Sequence, residues 1–272
     1  MNNKLNFQDI RDIFFNNIKK TFLSDINYYI LTNDADVFAL KSLRKNKRFI
    51  DAGVAEQNTI NIASGLSKKK KNVIIYGFCN FLTMRAYEQI KFNIGSMNMP
   101  VKIIGVGPGF SFSYDGPTHH AIQDIGLMNL IPEMEIFNIS DNNLSNQISK
   151  KLFTIKGPVY VRLEKGTLSH NSNISYNLTK GFSLNLVAKK KNLLIITTGY
   201  FTKYSLELAK MYKNVSVLNF FRFKNFDKKS LIKEIKKYSN ILVYDENTFY
   251  GGISSIILKF INDQKVEKKI NF

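Results

Sequence analysis

The chain has 272 residues, enough for one large or two modest domains, and its 44% hydrophobic content is ordinary for a globular protein. Thirty-nine Lys and Arg against 21 Asp and Glu give a formal charge of +18, which attracts phosphates, anionic membranes or acidic partner surfaces. The single Cys79 excludes an internal disulfide, three histidines (His119, His120, His170) argue against a zinc cluster, and no apolar run approaches the roughly 20 residues that span a bilayer.

The opening MNNKLNFQDI lacks the basic start and apolar centre of an export signal, so a cytoplasmic location is expected, with no membrane partner. Nucleic acid must be weighed because of the charge. Against it, the excess is almost all Lys, scattered over predicted helix faces and the KKKKN turn at 68–72, without aromatic interleaving or a recognition-helix pattern. Lys, Asn and Ile are abundant together, which points to compositional drift and a solvated Lys-rich surface.

Residues 7–22 place Phe7, Ile10, Phe14, Ile18 and Phe22 in a helical stripe. Strand-like runs follow at 28–32, 73–78, 101–107, 134–140 and 158–164, separated by helical segments at about 55–67, 82–94, 119–130 and 141–155. Short, continuously apolar strands alternating with helices predict a mostly parallel sheet covered on both faces, a doubly wound α/β domain. At 165–192 the texture turns polar and rich in Ser and Asn, a linker with an edge strand. The strand and helix alternation then restarts in a second, smaller α/β unit. The expected division is 1–166, a linker at 167–192, and 193–272.

Within RFIDAGVAEQNTINIASGLS (48–67), Glu56 is a lone acid following strand and turn and opening a buried helix. Burying a charge there costs several kcal/mol, on the order of the general desolvation penalty, unless something pairs with it. Taken alone, Glu56 reads as a first-turn carboxylate favoured by the helix dipole. GFCNFLTMRAYEQIK (77–91) sets Phe78 and Phe81 after a strand, where two Phe are usually core. GVGPGFSFSYDGPTHHAIQDIGLMNLIPEMEIF (105–137) places a Gly- and Ser-containing loop at the carboxyl end of a strand, where open α/β folds bind ligands; its DGPTH also reads as a turn with Thr118 as helix N-cap.

In that order and spacing, with GPVYVRLEKG (157–166), these stretches resemble the pyrimidine-binding domain of the transketolase family. LLIITTGYFTKYSLELA and ILVYDENTFYGGISSII look like that family's third domain. The resemblance implies thiamin diphosphate as cofactor, with Glu56 hydrogen-bonding N1′ of its aminopyrimidine so that the 4′-amino group can remove the thiazolium C2 proton. An apolar setting would suit a carboxyl that shares a proton. Phe78 and Phe81 match the aromatic pair lining the pyrimidine pocket, Asp36 a residue near the cofactor or else a helix cap. Asp115 would contact a sugar hydroxyl, and His119 would bond substrate oxygens and relay protons, a task suited to an ordinary imidazole pKa of about 6.5. Arg162, and more loosely Arg11, correspond to arginines that hold a sugar phosphate. Met84 and Arg85 receive no role, His120 reads as helix N-terminal structure, and His170 sits in the linker without an evident partner.

Two departures from the family pattern bear on the substrate. Gly107 stands where many transketolases carry a histidine, and Leu40 near the place of a phosphate-contacting serine. No Gly-Asp-Gly occurs, so the resemblance implies an N-terminal partner subunit that grips the diphosphate with a Mg or Ca ion, in an α2β2 heterotetramer acting on sugars or sugar phosphates. Such an obligate interface buries about 2,000 Å² or more, and the chain alone would be silent. The expected activity is two-carbon ketol transfer from a ketose to an aldose. Alternatives are an enzyme like 1-deoxyxylulose-5-phosphate synthase or a 2-oxo-acid dehydrogenase β-subunit, and a non-catalytic basic scaffold subunit.

Overall fold

The computed structural model describes residues 8–168 and 174–272; Phe7 and His170 lie outside them. Helix α1 (Ile10–Ser24) starts where Asp9 accepts the Arg11 N–H and buries Ile10, Ile13, Phe14, Phe15, Ile18 and Phe22, the stripe expected from the sequence. Next come β1 (Tyr28–Thr32), β2 (Phe49–Asp51), α2 (Glu56–Lys68), β3 (Asn72–Phe78), a helical turn α3 (Tyr87–Gln89), β4 (Lys102–Val106) and α4 (Asp124–Asn129). The first unit closes with β5 (Glu135–Asn138), α5 (Asn142–Lys151) and β6 (Val159–Leu163). Its six strands are all parallel, in the order β2-β1-β3-β4-β6-β5.

Strand alternation explains why the sequence shows continuous apolar runs. In β3, Ile74 and Tyr76 join the core beneath α1 and α5, whereas Val73 and Ile75 join the core beneath α2 and α4. With both faces covered, neither set of alternate positions can be polar.

The second unit contains β7 (Phe182–Leu186), β8 (Leu193–Thr197), α6 (Phe201–Met211), β9 (Val215–Phe220), α7 (Lys228–Ile235), β10 (Asn240–Tyr244), α8 (Ile253–Asp263) and β11 (Lys269–Asn271). Its sheet runs β11-β10-β8-β9-β7, parallel except for the antiparallel edge strand β7, which lies within the segment expected to be a linker. The sheets are joined at β5: Asn138 donates its backbone N–H to Phe221 at 3.0 Å, and Phe223 donates to Ile136 at 3.1 Å. One apolar cluster runs through both units, from Ile60 and Ile103 to Phe220, Leu231 and Ile257.

Three expected helices differ. The segment at 82–94 is wound as π-helix at Phe81–Arg85 and Ile90–Gly95 around the α3 turn, a widening that clusters at functional sites. The helix expected at 119–130 shortens to α4 because Gly109 and Ala121 exchange two backbone hydrogen bonds of 2.9 Å, holding the chain extended up to Ala121; Thr118 therefore caps no helix. The last turn of the helix expected at 141–155 tightens to 3-10 geometry at Leu152–Thr154. Among the described residues no helix is long and apolar enough to cross a membrane.

Phe15 is fully buried and meets the Tyr76 ring edge-on at 4.7 Å, pinning α1 to the sheet centre. Phe15→Ala is expected to lower unfolding free energy by about 3–5 kcal/mol in urea titration. A loss below about 1 kcal/mol would show that α1 is not anchored there.

Candidate functional site

The first sheet delivers its chemistry at the carboxyl ends of β2, β3, β4 and β6, the edge where open α/β sheets bind ligands. After β2 the chain turns through Gly53, whose φ of +62° favours glycine, and enters α2 at Glu56. The Glu56 side chain is 3% exposed. Its Oε2 accepts a 2.8 Å hydrogen bond from Arg85 Nη1, whose guanidinium also lies 4.6 Å from the centre of the Phe81 ring. The purely apolar setting read from the sequence is thus corrected. The half-exposed Arg85, a residue assigned no role, supplies the compensating charge. It comes from the π-wound segment, whose widened turn carries both Phe81 and Arg85.

Phe78, Phe81 and His119 form one wall. His119 packs edge-on against Phe81 at 4.9 Å and Phe78 at 5.7 Å, and the two Phe rings are 5.9 Å apart. Asn80 Nδ2 donates to the Thr118 carbonyl at 2.6 Å, and Thr118 Oγ1 lies 3.1 Å from His119 Nδ1, so the strand end and the loop fix the imidazole together. His120 turns away to Phe110, 5.0 Å between ring centres. Asp115 is exposed on a 3-10 turn at Ser113–Asp115.

Phe112, missed in the sequence, completes this wall at 5.1 Å from Phe78. It explains Gly107: a Cβ there would fall 2.1 Å from the Phe112 ring, so the position that resembles a histidine site is filled by an aromatic from the loop. Lys165 Nζ sits 4.0 Å from the centre of that ring.

Arg162 requires a correction. Its side chain is completely buried; Nε donates to Asp124 Oδ2 at 2.7 Å, and Nη2 to the Ala121 carbonyl at 3.2 Å. Tyr160 donates to the same Asp124 oxygen at 2.7 Å. A guanidinium sealed in that network has no face for a sugar phosphate, and the exposed cation at the end of β6 is Lys165. Arg11 is also engaged, forking onto Asp9 at 2.7 and 3.0 Å, while Asp9 accepts the Gly166 N–H at 3.1 Å. Asp36 is half exposed and pairs with Arg44 at 3.2 Å and Lys41 at 3.9 Å. It caps nothing: the 3-10 segment Phe38–Leu43 has its Ala39 N–H bound by Asp12 at 2.8 Å. The structure therefore gathers Glu56, Phe78, Phe81 and His119, adds Arg85, Phe112 and Lys165, and leaves Arg11, Asp36 and Arg162 in other contacts.

Behind the loop, Glu164 accepts the Ser111 hydroxyl at 2.6 Å and Glu246 accepts the Phe110 N–H at 3.0 Å. Both line a cavity of about 410 Å³ between the two units, together with Lys165 and Tyr200. Burial, reinforced by the charge of Glu246, pushes Glu164 from its ordinary 4.5 up to about 8. Burial likewise raises Glu246.

Residues 17–170 match the family model of the transketolase pyrimidine binding domain, and residues 183–271 that of the transketolase C-terminal domain. The chain is 26% identical over 230 residues to a subunit of the apulose-4-phosphate transketolase of Phocaeicola vulgatus, covering 82% of this chain and 73% of that protein. It is 27% identical over 228 residues to 1-deoxy-D-xylulose-5-phosphate synthase of Syntrophus aciditrophicus, covering 81% of this chain but 34% of the synthase. A solved split-gene transketolase, described as an inactive beta4 tetramer, superposes with a TM-score of 0.84 at 24% identity, over 96% of this chain and 86% of that one.

Asp124→Ala strands the buried Arg162 charge and is expected to cost about 3–5 kcal/mol in chemical denaturation. A cost near zero would contradict the sealed pair. Glu164 binds its proton more tightly folded than unfolded, so its contribution to stability falls as pH rises from about 4.5 to about 8. Melting between pH 6 and 9 should show that decline in the wild type and a flatter profile in Glu164→Gln; parallel profiles would refute the assignment.

Proposed function

The chain belongs to the transketolase family, and from that premise we propose that it is the pyrimidine-binding subunit of a two-chain, thiamin diphosphate-dependent transketolase. On this reading it serves transfer of a two-carbon ketol unit from a ketose, phosphorylated or not, to an aldose. The observation that carries the proposal is the buried Glu56 carboxylate at the first turn of α2, linked through Arg85 and Phe81 to the His119 wall.

The residues present suit one half of the cofactor. Flat apolar rings at Phe78 and Phe81 and a buried carboxylate match a planar aminopyrimidine that offers a ring nitrogen. The diphosphate half lacks a counterpart: among the described residues no group of three or more His, Cys, Asp or Glu is placed to hold a metal ion. The reading therefore assigns the diphosphate, with its Mg or Ca ion, to an N-terminal partner subunit, and an α2β2 assembly completes two such sites. Exposed Val54 beside Glu56 and exposed Met84 beside Arg85 supply apolar surface for that partner.

Bound thiamin diphosphate supplies the carbon nucleophile and the electron sink for breaking the ketose carbon–carbon bond. Glu56 holds a proton at the pyrimidine N1′, and Arg85 fixes Oε2 so that the carboxylate is oriented before it is used. Phe78 and Phe81 exclude water from the ring. His119 bonds the substrate oxygens and moves a proton to or from them, held by Thr118 and by the two Phe edges. Asp115 accepts from a sugar hydroxyl. Lys165 provides a point charge at the rim, a weaker and less directional phosphate handle than a guanidinium fork. The transketolase reading is preferred to the synthase reading because the chain accounts for 73% of a transketolase subunit and 34% of a synthase.

Reconstitution with an N-terminal transketolase subunit tests the proposal. The pair is expected to bind thiamin diphosphate by calorimetry and to transfer two-carbon units. Glu56→Gln should assemble normally and lose turnover by about 10²- to 10⁴-fold, the usual size of a proton-transfer contribution. Undiminished turnover in that variant would contradict the role given to Glu56.

A further inference from the structure

The loop that carries Asp115 and His119 leaves the first sheet after β4 and returns before α4, its base closed by the Gly109 and Ala121 backbone pair. Both ends of that base are gripped by residues 246–248 of the second unit, directly after β10. On the outgoing side, Glu246 Oε2 accepts the Phe110 N–H at 3.0 Å. On the returning side, the Ile122 carbonyl accepts three bonds: from the Thr248 N–H at 3.0 Å, Thr248 Oγ1 at 3.2 Å and Asn247 Nδ2 at 3.2 Å. Asn247 Nδ2 also reaches Asp124 Oδ1 at 3.3 Å, and so touches the carboxylate that neutralises Arg162.

This approach depends on two places without side chains. A Cβ on Gly109 would fall 1.8 Å from Glu246 Cδ, and a Cβ on Gly251 would fall 2.8 Å from the Gly126 Cα. The first lets the carboxylate reach the loop backbone; the second lets the segment after β10 lie directly on α4. A packing contact alone would not need a buried carboxylate aimed at a single amide, since an apolar side chain would fill that space without the desolvation cost.

We infer that Glu246, Asn247 and Thr248 are positioning residues: the second unit acts as a clamp that fixes the substrate-facing loop, and with it His119 and Asp115, relative to Glu56. The inference rests on the transketolase reading for what the loop does, though not for how it is held. None of the three residues touches the substrate cleft wall formed by Phe78, Phe81 and His119. Their effect is transmitted through the loop backbone, whose far end Asn80 secures at Thr118. Misplacement of a reacting group by about 1 Å can cost about 10²-fold in rate.

The test pairs two substitutions at one position. Glu246→Gln keeps a side-chain oxygen that can accept from the Phe110 N–H; Glu246→Ala removes it. Hydrogen exchange across 109–122, measured on the chain itself, should be at least tenfold faster in Glu246→Ala and near wild-type in Glu246→Gln, while exchange in β3 and β4 is unchanged in both. In the complex with the N-terminal subunit, Glu246→Ala should raise the sugar KM or lower kcat/KM at least tenfold with cofactor affinity unaltered, and Glu246→Gln should restore it. Unchanged loop exchange in Glu246→Ala would overturn the clamp, as would equal loss in both variants. Should the wild-type complex transfer no ketol unit, the functional reading fails while the exchange comparison still decides whether the clamp exists.

Discussion

Placing a carboxylate at the carboxyl edge of a parallel sheet, out of water yet not inside the core, constrains everything around Glu56. The α2 N-terminus contributes partial positive charge, and Arg85 contributes a whole one across a 2.8 Å contact. Because Arg85 stacks on Phe81, the same π-wound turn delivers the counter-charge and one wall of the cleft. His119 meets that wall from the opposite side, so the acid, the aromatic slot and the imidazole form a continuous series of contacts.

The fold was legible where strands are buried on both faces. Runs such as VIIYGF and VKIIGV carry no polar alternation because Ile74 and Tyr76 face one core while Val73 and Ile75 face the other. Edges were harder. β11 holds only three residues, Lys269–Asn271, whose composition resembles any Lys-rich turn of this chain. The π winding at 81–95 leaves no mark on apolar spacing, since no Pro or other helix breaker stands inside the helix that the pattern implies.

At the site, residue type was legible and commitment was not. A guanidinium in β6 suggests a phosphate handle, but its fate is decided by Asp124, 38 positions away, which pairs with it under the loop. Lys165, three residues further on, is the cation that reaches the surface. Phe112 likewise gave no signal within GFSFSYDG. Only the 2.1 Å approach of its ring to Gly107 reveals that glycine and aromatic are complementary. An acceptor sugar approaching His119 therefore meets an aromatic face and one ammonium, a different surface from the histidine and serine the family resemblance led one to look for. The second unit, which its fold alone would leave without a task, holds the base of the loop from behind.

The central claim is that Glu56 of this chain meets the pyrimidine of a coenzyme whose diphosphate is held by another subunit. A crystal or cryo-EM structure of the reconstituted complex with thiamin diphosphate measures that contact directly. The account predicts a Glu56 carboxylate oxygen within about 3 Å of N1′, hydrogen-bonding distance, with the ring between Phe78 and Phe81. A pyrimidine seated elsewhere, with Glu56 still locked to Arg85 alone, would contradict it.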